Sequence, residues 1–316
     1  MKIRLLLLLS FLGAASPLVA QDPNCPADST AGGRICQAGV DALTLFLPTE
    51  NLLVSGGNSV PGTAAAVGKF GHFRIGARIG LVRVTIPETS YNGTSDTVAA
   101  DTRLLIPVPR LDLSVGLFSK ALPVGTASVD LLGSAVILPT DVSSRYSVDE
   151  NARKIESLAL GLGFGFRAAM QMAGNKPTVS LSVMKRDMPR LRFGDLGNGD
   201  DLSIATSLSS INARLAVGGK LYGLRLTGGG GIDLIKGTGS VTFVDPVTTT
   251  DSTFAVDMST SRITTFLNAA IDLGPLSLWG EGGFTIGKND GVVTTFQRID
   301  PGGGTFYGGL GAALSF

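Results

Sequence analysis

Beyond its first twenty positions the chain lacks any stretch of about 18 uninterrupted apolar residues, which excludes a bundle of membrane-spanning helices by length alone. It is also poor in charge. Lys, Arg, Asp and Glu make up 16% of the 316 residues, against about 25% in an ordinary soluble domain. They balance to a formal net charge of +1, which excludes a strongly basic nucleic-acid binder. Two cysteines and one histidine are present. A zinc site needs about four such ligands, so a metal centre is disfavoured. Cys25 and Cys36 lie eleven positions apart, before the regular part of the chain, and in an oxidising compartment they are expected to form one local disulfide. The single His72 leaves the usual acid–base constellations of a hydrolase without parts, so no catalytic residue, no enzyme activity and no cofactor are expected.

What is present begins with an export leader. Lys2 and Arg4 precede the apolar run Leu5 to Leu9 with Phe11 and Leu12, and Pro17-Leu18-Val19-Ala20 places cleavage after Ala20. Cys25 follows closely, but Asp22-Pro23-Asn24 lacks the small apolar residues of a lipid-attachment box. Glycine is abundant, with 43 residues, about twice the average share of roughly 7%. Gly161-Leu162-Gly163-Phe164-Gly165 and Gly228 to Gly231 lack the Lys-Ser/Thr of a phosphate loop and read as places where a strand wall kinks or thins.

From His72 onward the chain alternates with period two. At its end Phe306, Gly308, Leu310, Ala312, Leu314 and Phe316 share one face, and Thr305, Tyr307, Gly309, Gly311, Ala313 and Ser315 share the other. About ten such segments reach the roughly 9–11 residues a tilted strand needs to cross a bilayer: 72–86, 104–119, 127–139, 155–169, 177–193, 202–218, 221–243, 254–273, 275–288 and 304–316. The connections alternate in length. Lys120 to Gly125, Gly174 to Pro177, Gly218 to Lys220 and Gly274-Pro275 are short, whereas 87–103, 140–154, 187–201, 244–253 and 289–303 are longer and polar. Short turns belong in the periplasm and long loops outside. The expected fold is all-β: a closed antiparallel transmembrane barrel of about ten strands, with eight to fourteen as the range of alternatives. The expected organisation is a signal peptide at 1–20, a plug or periplasmic segment at 21–71 and the barrel at 72–316. Residues 40–68 are apolar without membrane-length alternation, so they plug the barrel or cover its periplasmic mouth, or else Leu43 to Leu47 and Leu52 to Val54 add a strand pair.

Placing one face of each strand against lipid leaves an inward set rich in arginine: Arg74, Arg78, Arg110, Asp112, Asp130, Arg167, Arg186, Arg214, Arg225, Asp233, Arg262, Asp272 and Glu281. Such a set can act as a constriction that selects solutes by charge. The reading favoured here is a structural network joining barrel and plug.

The terminal Leu314-Ser315-Phe316, the leader and the alternating strands resemble bacterial outer-membrane barrel proteins as a broad class. That resemblance implies the cell outer membrane, its lipid as surroundings, and the barrel-assembly machinery as a partner that reads Phe316. The Asn-containing, Ala-rich turn Asn58 to Val67 ahead of the first strand is similar to the plug of the long-chain fatty-acid transporter family. No ligand-binding position carries over from that family. The leading expectation is passive passage of small apolar or amphipathic molecules through a narrow plugged barrel, with a small hydrophobic ligand as partner. The rival is a non-transporting surface or structural barrel that acts through its external loops.

Overall fold

The computed structural model describes residues 25, 30–139, 141–143, 146–148, 154–155, 158–174, 177–287, 292–300 and 303–316. Ten long strands form the wall: β1 (Phe73–Pro87), β2 (Ala100–Leu122), β3 (Gly125–Pro139), β4 (Leu158–Met172), β5 (Thr178–Phe193), β6 (Leu202–Leu221), β7 (Leu224–Val244), β8 (Asp251–Leu273), β9 (Leu276–Gly287) and β10 (Thr305–Ser315). Each pairs antiparallel with its neighbours in sequence. β10 also pairs with β1 from Arg74↔Ser315 to Val82↔Tyr307, and this seam closes the barrel. Closure leaves no free edge, which is the condition for a sheet to stand in hydrocarbon.

Alternation gives the wall two chemistries. Ile75, Ile79, Leu113, Phe164, Phe166, Leu181, Ile263, Leu267 and Ile271 are large apolar side chains exposed on the outer surface. Their partners one residue along the strands are buried inside. An apolar band outside and a polar interior are the signature of an outer-membrane barrel. An eight-stranded barrel is about filled by its own side chains, so ten strands leave a lumen that something must occupy.

The occupant is one helix, α1 (Ala31–Ser55), buried along nearly its whole length. Thr30 caps its N-terminus by accepting from the Gly33 N–H at 3.0 Å, and the Cys25–Cys36 disulfide ties the preceding chain to it, with Cα atoms 5.7 Å apart. The helix leans on β6 and β7. Glycines permit that approach: a Cβ on Gly39 would lie 2.4 Å from the Val241 side chain, and one on Gly237 would lie 2.4 Å from Leu47. Apolar side chains from β5 to β8, among them Phe193, Leu208, Ile235, Val241 and Phe243, complete a core around its outer half. Phe46 meets Phe193 edge-on at 4.6 Å.

The structure corrects several expectations. Residues 31–55 form a helix rather than a strand pair. The presumed Gly218-Gly219-Lys220 turn lies within β6, and the chain reverses at Tyr222-Gly223, both with positive φ (49° and 84°), as a two-residue hairpin turn requires. β2 begins at Ala100 rather than 104, and β7 and β8 reach Val244 and Asp251, so the expected loops 87–103 and 244–253 are partly strand; β5 ends at Phe193, where the segment 177–193 places it, which takes 187–193 out of the loop expected at 187–201. Polar side chains in these extensions are no bar to pairing, because the ladder is made by backbone groups whatever the side chain. The leader and its cleavage site, and most of loop 140–154, lie outside the described residues.

Candidate functional site: the lumen helix, its latch and the wall cavity

The helix spans the lumen lengthwise with a definite polarity. Its first turn sits among the long loops: the Arg34 guanidinium donates to the Gly93 carbonyl at 2.6 Å, and Asp245 of the β7–β8 loop lies against Gly32. Further along, the Asp41 carboxylate accepts from the backbone N–H groups of Val293 and Thr294 at 3.1 and 2.6 Å, fastening the last long loop to the helix. The far end points to the short turns. No basic residue occupies the last helical turn, so its carbonyls and the negative end of the helix dipole need cations from elsewhere.

Three wall arginines supply them. Arg110 donates to the Val54 carbonyl, Arg214 to the Ser55 and Gly57 carbonyls at 3.3 and 3.2 Å, and Arg78 to the Gly56 carbonyl at 3.5 Å. Carboxylates hold the arginines in turn. Asp112 pairs with Arg78 at 3.0 Å and Arg110 at 3.2 Å, and Asp233 pairs with Arg214 at 2.6 Å. Asn212 bridges Asp233 to Arg186, with contacts of 2.7 and 2.6 Å. Glu281 approaches Arg78 at 3.8 Å, and accepts from the Asn58 N–H at 3.0 Å and from Asn268 at 2.6 Å. Asn268 also accepts from the Gly62 N–H at 3.0 Å. Nearer the periplasm Arg74 donates to the Pro61 carbonyl at 3.2 Å, and the Arg167–Asp130 pair at 2.6 Å accepts the Val67 N–H at 3.4 Å.

The expected lumen charges thus separate into three groups. Arg74, Arg78, Arg110, Asp112, Asp130, Arg167, Arg186, Arg214, Asp233 and Glu281 form one latch that grips the end of the helix and the chain after it. Arg225 and Asp272 pair with each other at the more exposed periplasmic rim, where Lys220 joins them at 3.6 Å. Arg262 stands higher, beside a cavity. Phe316 closes the seam: its backbone exchanges hydrogen bonds of 3.0 and 3.1 Å with Phe73, and the two rings stack at 5.0 Å.

Asn268, Asn212 and Gly57 belong to the latch without having stood out in the sequence. Alternation does put Asn268 on the inward face of β8, but a neutral amide among charges carries no signal of its own. Arg83 and Arg298, which line the cavity, did not stand out either, because alternation puts Arg83 on the outward face of β1 and Arg298 lies in a long loop. The cavity has a volume of about 680 Å³ and lies between one face of the helix (Ala42, Leu45, Phe46 and Thr49) and the wall at β1 and β10. Spacing of i, i+3, i+4 and i+7 puts those four residues on a single stripe. A second, smaller pocket of about 20 Å³ lies toward the helix end among Leu53, Arg78, Glu281 and Trp279, about enough for one water. Among the described residues, no group of three or more His, Cys, Asp or Glu side chains could hold a metal ion.

No family model matches the chain, and no curated protein does. Among solved structures it is similar to the outer-membrane protease OmpT of Escherichia coli, at 10% identity over 78% of this chain and 96% of that one, with a TM-score of 0.39. The translocator domain of the autotransporter NalP from Neisseria meningitidis matches at 13% identity, over 77% of this chain and 88% of that one, TM-score 0.33. The Pseudomonas putida toluene transporter TodX matches at 12% identity, over 84% and 92%, TM-score 0.30. The likeness of the N-terminal turn to long-chain fatty-acid transporters finds no support in these matches. Seam closure, the lipid-facing apolar band and the alternation of short turns with long loops make this chain a ten-stranded antiparallel barrel of the bacterial outer membrane.

Proposed function

We propose that this protein is a narrow, plugged barrel for passive uptake of small apolar or amphipathic molecules. The observation that carries the reading is the cavity of about 680 Å³ beside the helix. Its size falls within the roughly 300–1,000 Å³ of small-molecule sites, and the helix presents Ala42, Leu45 and Phe46 to it. On this reading passage to the periplasm runs past Arg78, Glu281 and the helix end, and requires the latch to yield. The reading includes no catalytic role. The only histidine, His72, stands just before β1 at the short-turn end, far from the long loops.

A second reading rests on the latch itself. Buried ion pairs that grip the helix suit a permanently closed body whose external loops do the work, and removing one partner of such a pair costs about 3–5 kcal/mol. Liposome swelling and transfer of an amphipathic fluorescent probe separate the two. Uptake predicts slow probe transfer by the intact protein, faster transfer by Arg214→Ala, and open conductance after deletion of residues 40–68. If none of the three forms transfers the probe or conducts, the closed-body reading replaces uptake.

A further inference from the structure

The latch carries more positive charge than its own carboxylates neutralise. Six of its members are arginines and four are Asp or Glu, and their side chains lie almost wholly out of water. The negative end of the helix dipole offsets about half a charge, so more than one positive charge is left over in a low-dielectric interior. Among the described residues, Arg74 and Arg186 have no carboxylate within ion-pair distance. Neutral oxygens hold them instead: the Pro61 carbonyl and the Ser277 and Ser315 hydroxyls for Arg74, and the Asn212 amide for Arg186. Glu50, buried nearer the middle of the helix, pairs with none of the six, since neither of its carboxyl oxygens has a hydrogen-bond partner.

Two of these guanidiniums meet at one place. Arg78 and Arg110 stand directly opposite each other in the register of β1 and β2, and are only 6% and 4% exposed. Each directs Nε to the shared Asp112 and Nη1 to a carbonyl at the helix end, Gly56 for Arg78 and Val54 for Arg110. Each also keeps a buried Nη2 with no partner. Both side chains line the pocket of about 20 Å³, which lies between Leu53 of the helix and Gly80 and Gly309 of the wall. Gly80 leaves room there, since a Cβ on it would meet nothing nearer than the Val108 carbonyl oxygen at 3.8 Å. Trp279, the single tryptophan of the chain, forms another side of the pocket, with the Arg78 guanidinium 5.9 Å from its ring centroid. The carboxylate that lines the pocket, Glu281, is already committed to Asn58, Asn268 and Arg78.

We propose that the latch binds one small monovalent anion, of the size of a halide, between the Nη2 groups of Arg78 and Arg110 and beside Trp279. Two charged N–H donors that otherwise lack a partner give such an ion charge-assisted hydrogen bonds. Its charge in turn reduces the surplus on the arginines that hold the helix end. The volume selects the class: room for about one water-sized body admits chloride or bromide and excludes sulfate, phosphate and carboxylates. The ion is part of the fastening of the plug rather than a cargo, so the site stands whether or not the barrel conducts. Without it, two adjacent guanidiniums repel each other while their other ends hold Val54 and Gly56, and the plug is fastened more weakly.

The test uses the full chain in nanodiscs of zwitterionic lipid in sodium gluconate, with other anions replacing gluconate at constant ionic strength. Trp279 is 6% exposed, so bromide in solution does not reach its ring, and quenching of its fluorescence reports bromide held in the pocket. Quenching is expected to saturate with bromide and to be reversed by chloride but not by sulfate. Chloride at about 100 times its dissociation constant shifts the balance between docked and loosened plug about hundredfold. The shift is read as a rise in the temperature at which heat-modifiable migration is lost. Gly80→Val fills the pocket and leaves every arginine in place, so this variant should keep heat-modifiable migration and lose both responses. Quenching that is absent, or linear in bromide, assigns the pocket to water and overturns the proposal. An equal rise in that temperature with sulfate overturns it in favour of general screening. Saturable quenching that survives in Gly80→Val places the ion elsewhere and overturns the site between Arg78 and Arg110.

Discussion

At the scale of single residues the latch depends on fit as much as on charge. Gly57 has φ 83°, and a Cβ there would fall 1.5 Å from a Glu281 carboxylate oxygen. The same carboxylate accepts the next residue's N–H and an Asn268 amide hydrogen, so it has no room to retreat without breaking both bonds. Gly57→Ala is therefore expected to destabilise the docked plug by about 1–3 kcal/mol from backbone strain alone, with the displaced glutamate adding to it. The measurement is the temperature at which heat-modifiable migration is lost, which should fall for both Gly57→Ala and Gly71→Ala, since both positions have positive φ, and fall further for Gly57→Ala. Gly71 also has positive φ (91°), but nothing lies within 4 Å of its Cβ position. Equal losses in the two variants would mean that backbone strain, and not the Glu281 contact, governs the site.

The elements show how the barrel sets the direction of its plug. An acidic side chain, Asp245, lies at the N-terminal end of the helix and three arginines lie at its C-terminal end, so the wall complements the helix dipole at both ends. β1 starts on the short-turn side after a helix that runs down the lumen, and the first turn of that helix lies among the long loops. An epitope inserted after Cys25 is expected to be reached by antibody on intact cells, as is one inserted at Asn92. Detection only after permeabilisation would reverse the helix. Phe316 acts at a different element, the seam. It adds a single bonded pair and a half-exposed ring stack to a seam that already runs from Arg74 to Val82. Deleting it should reduce insertion in cells, seen as unfolded protein in the periplasm, while barrel that has inserted loses little thermal stability. Normal insertion would remove Phe316 from any part in assembly.

For the molecule as a whole, strand number, plug and cavity are linked. Ten strands give a lumen too wide for wall side chains alone and suited to one helix about 10 Å across. A helix seated on the glycines of β7 cannot also fill the opposite side of the lumen, and the cavity lies there, against β1 and β10. The polar half of the lumen, near the periplasm, fixes the helix, and the apolar half, near the outside, leaves room beside it.

The wall was legible in the sequence because lipid enforces it locally: each strand must alternate wherever it is, and turns and loops must alternate in length whatever fills the lumen. The inward position of Arg78, Asp112, Arg214 and Glu281 follows from the same rule. Their joint purpose does not, since Arg78 and Glu281 are 203 positions apart and meet only when β10 closes on β1. The helix was hidden for a related reason. Gly32, Gly33, Gly39 and Pro48 weaken its intrinsic propensity, and burial on all sides removes the polar stripe by which an amphipathic helix is recognised. The cavity depends on which side of the lumen the helix leans toward, a property of the closed barrel that no segment carries by itself. Sequence thus determined what each strand shows to lipid and to the lumen, and tertiary structure decided what the lumen holds, because only closure brings the wall's scattered charges onto one helix end.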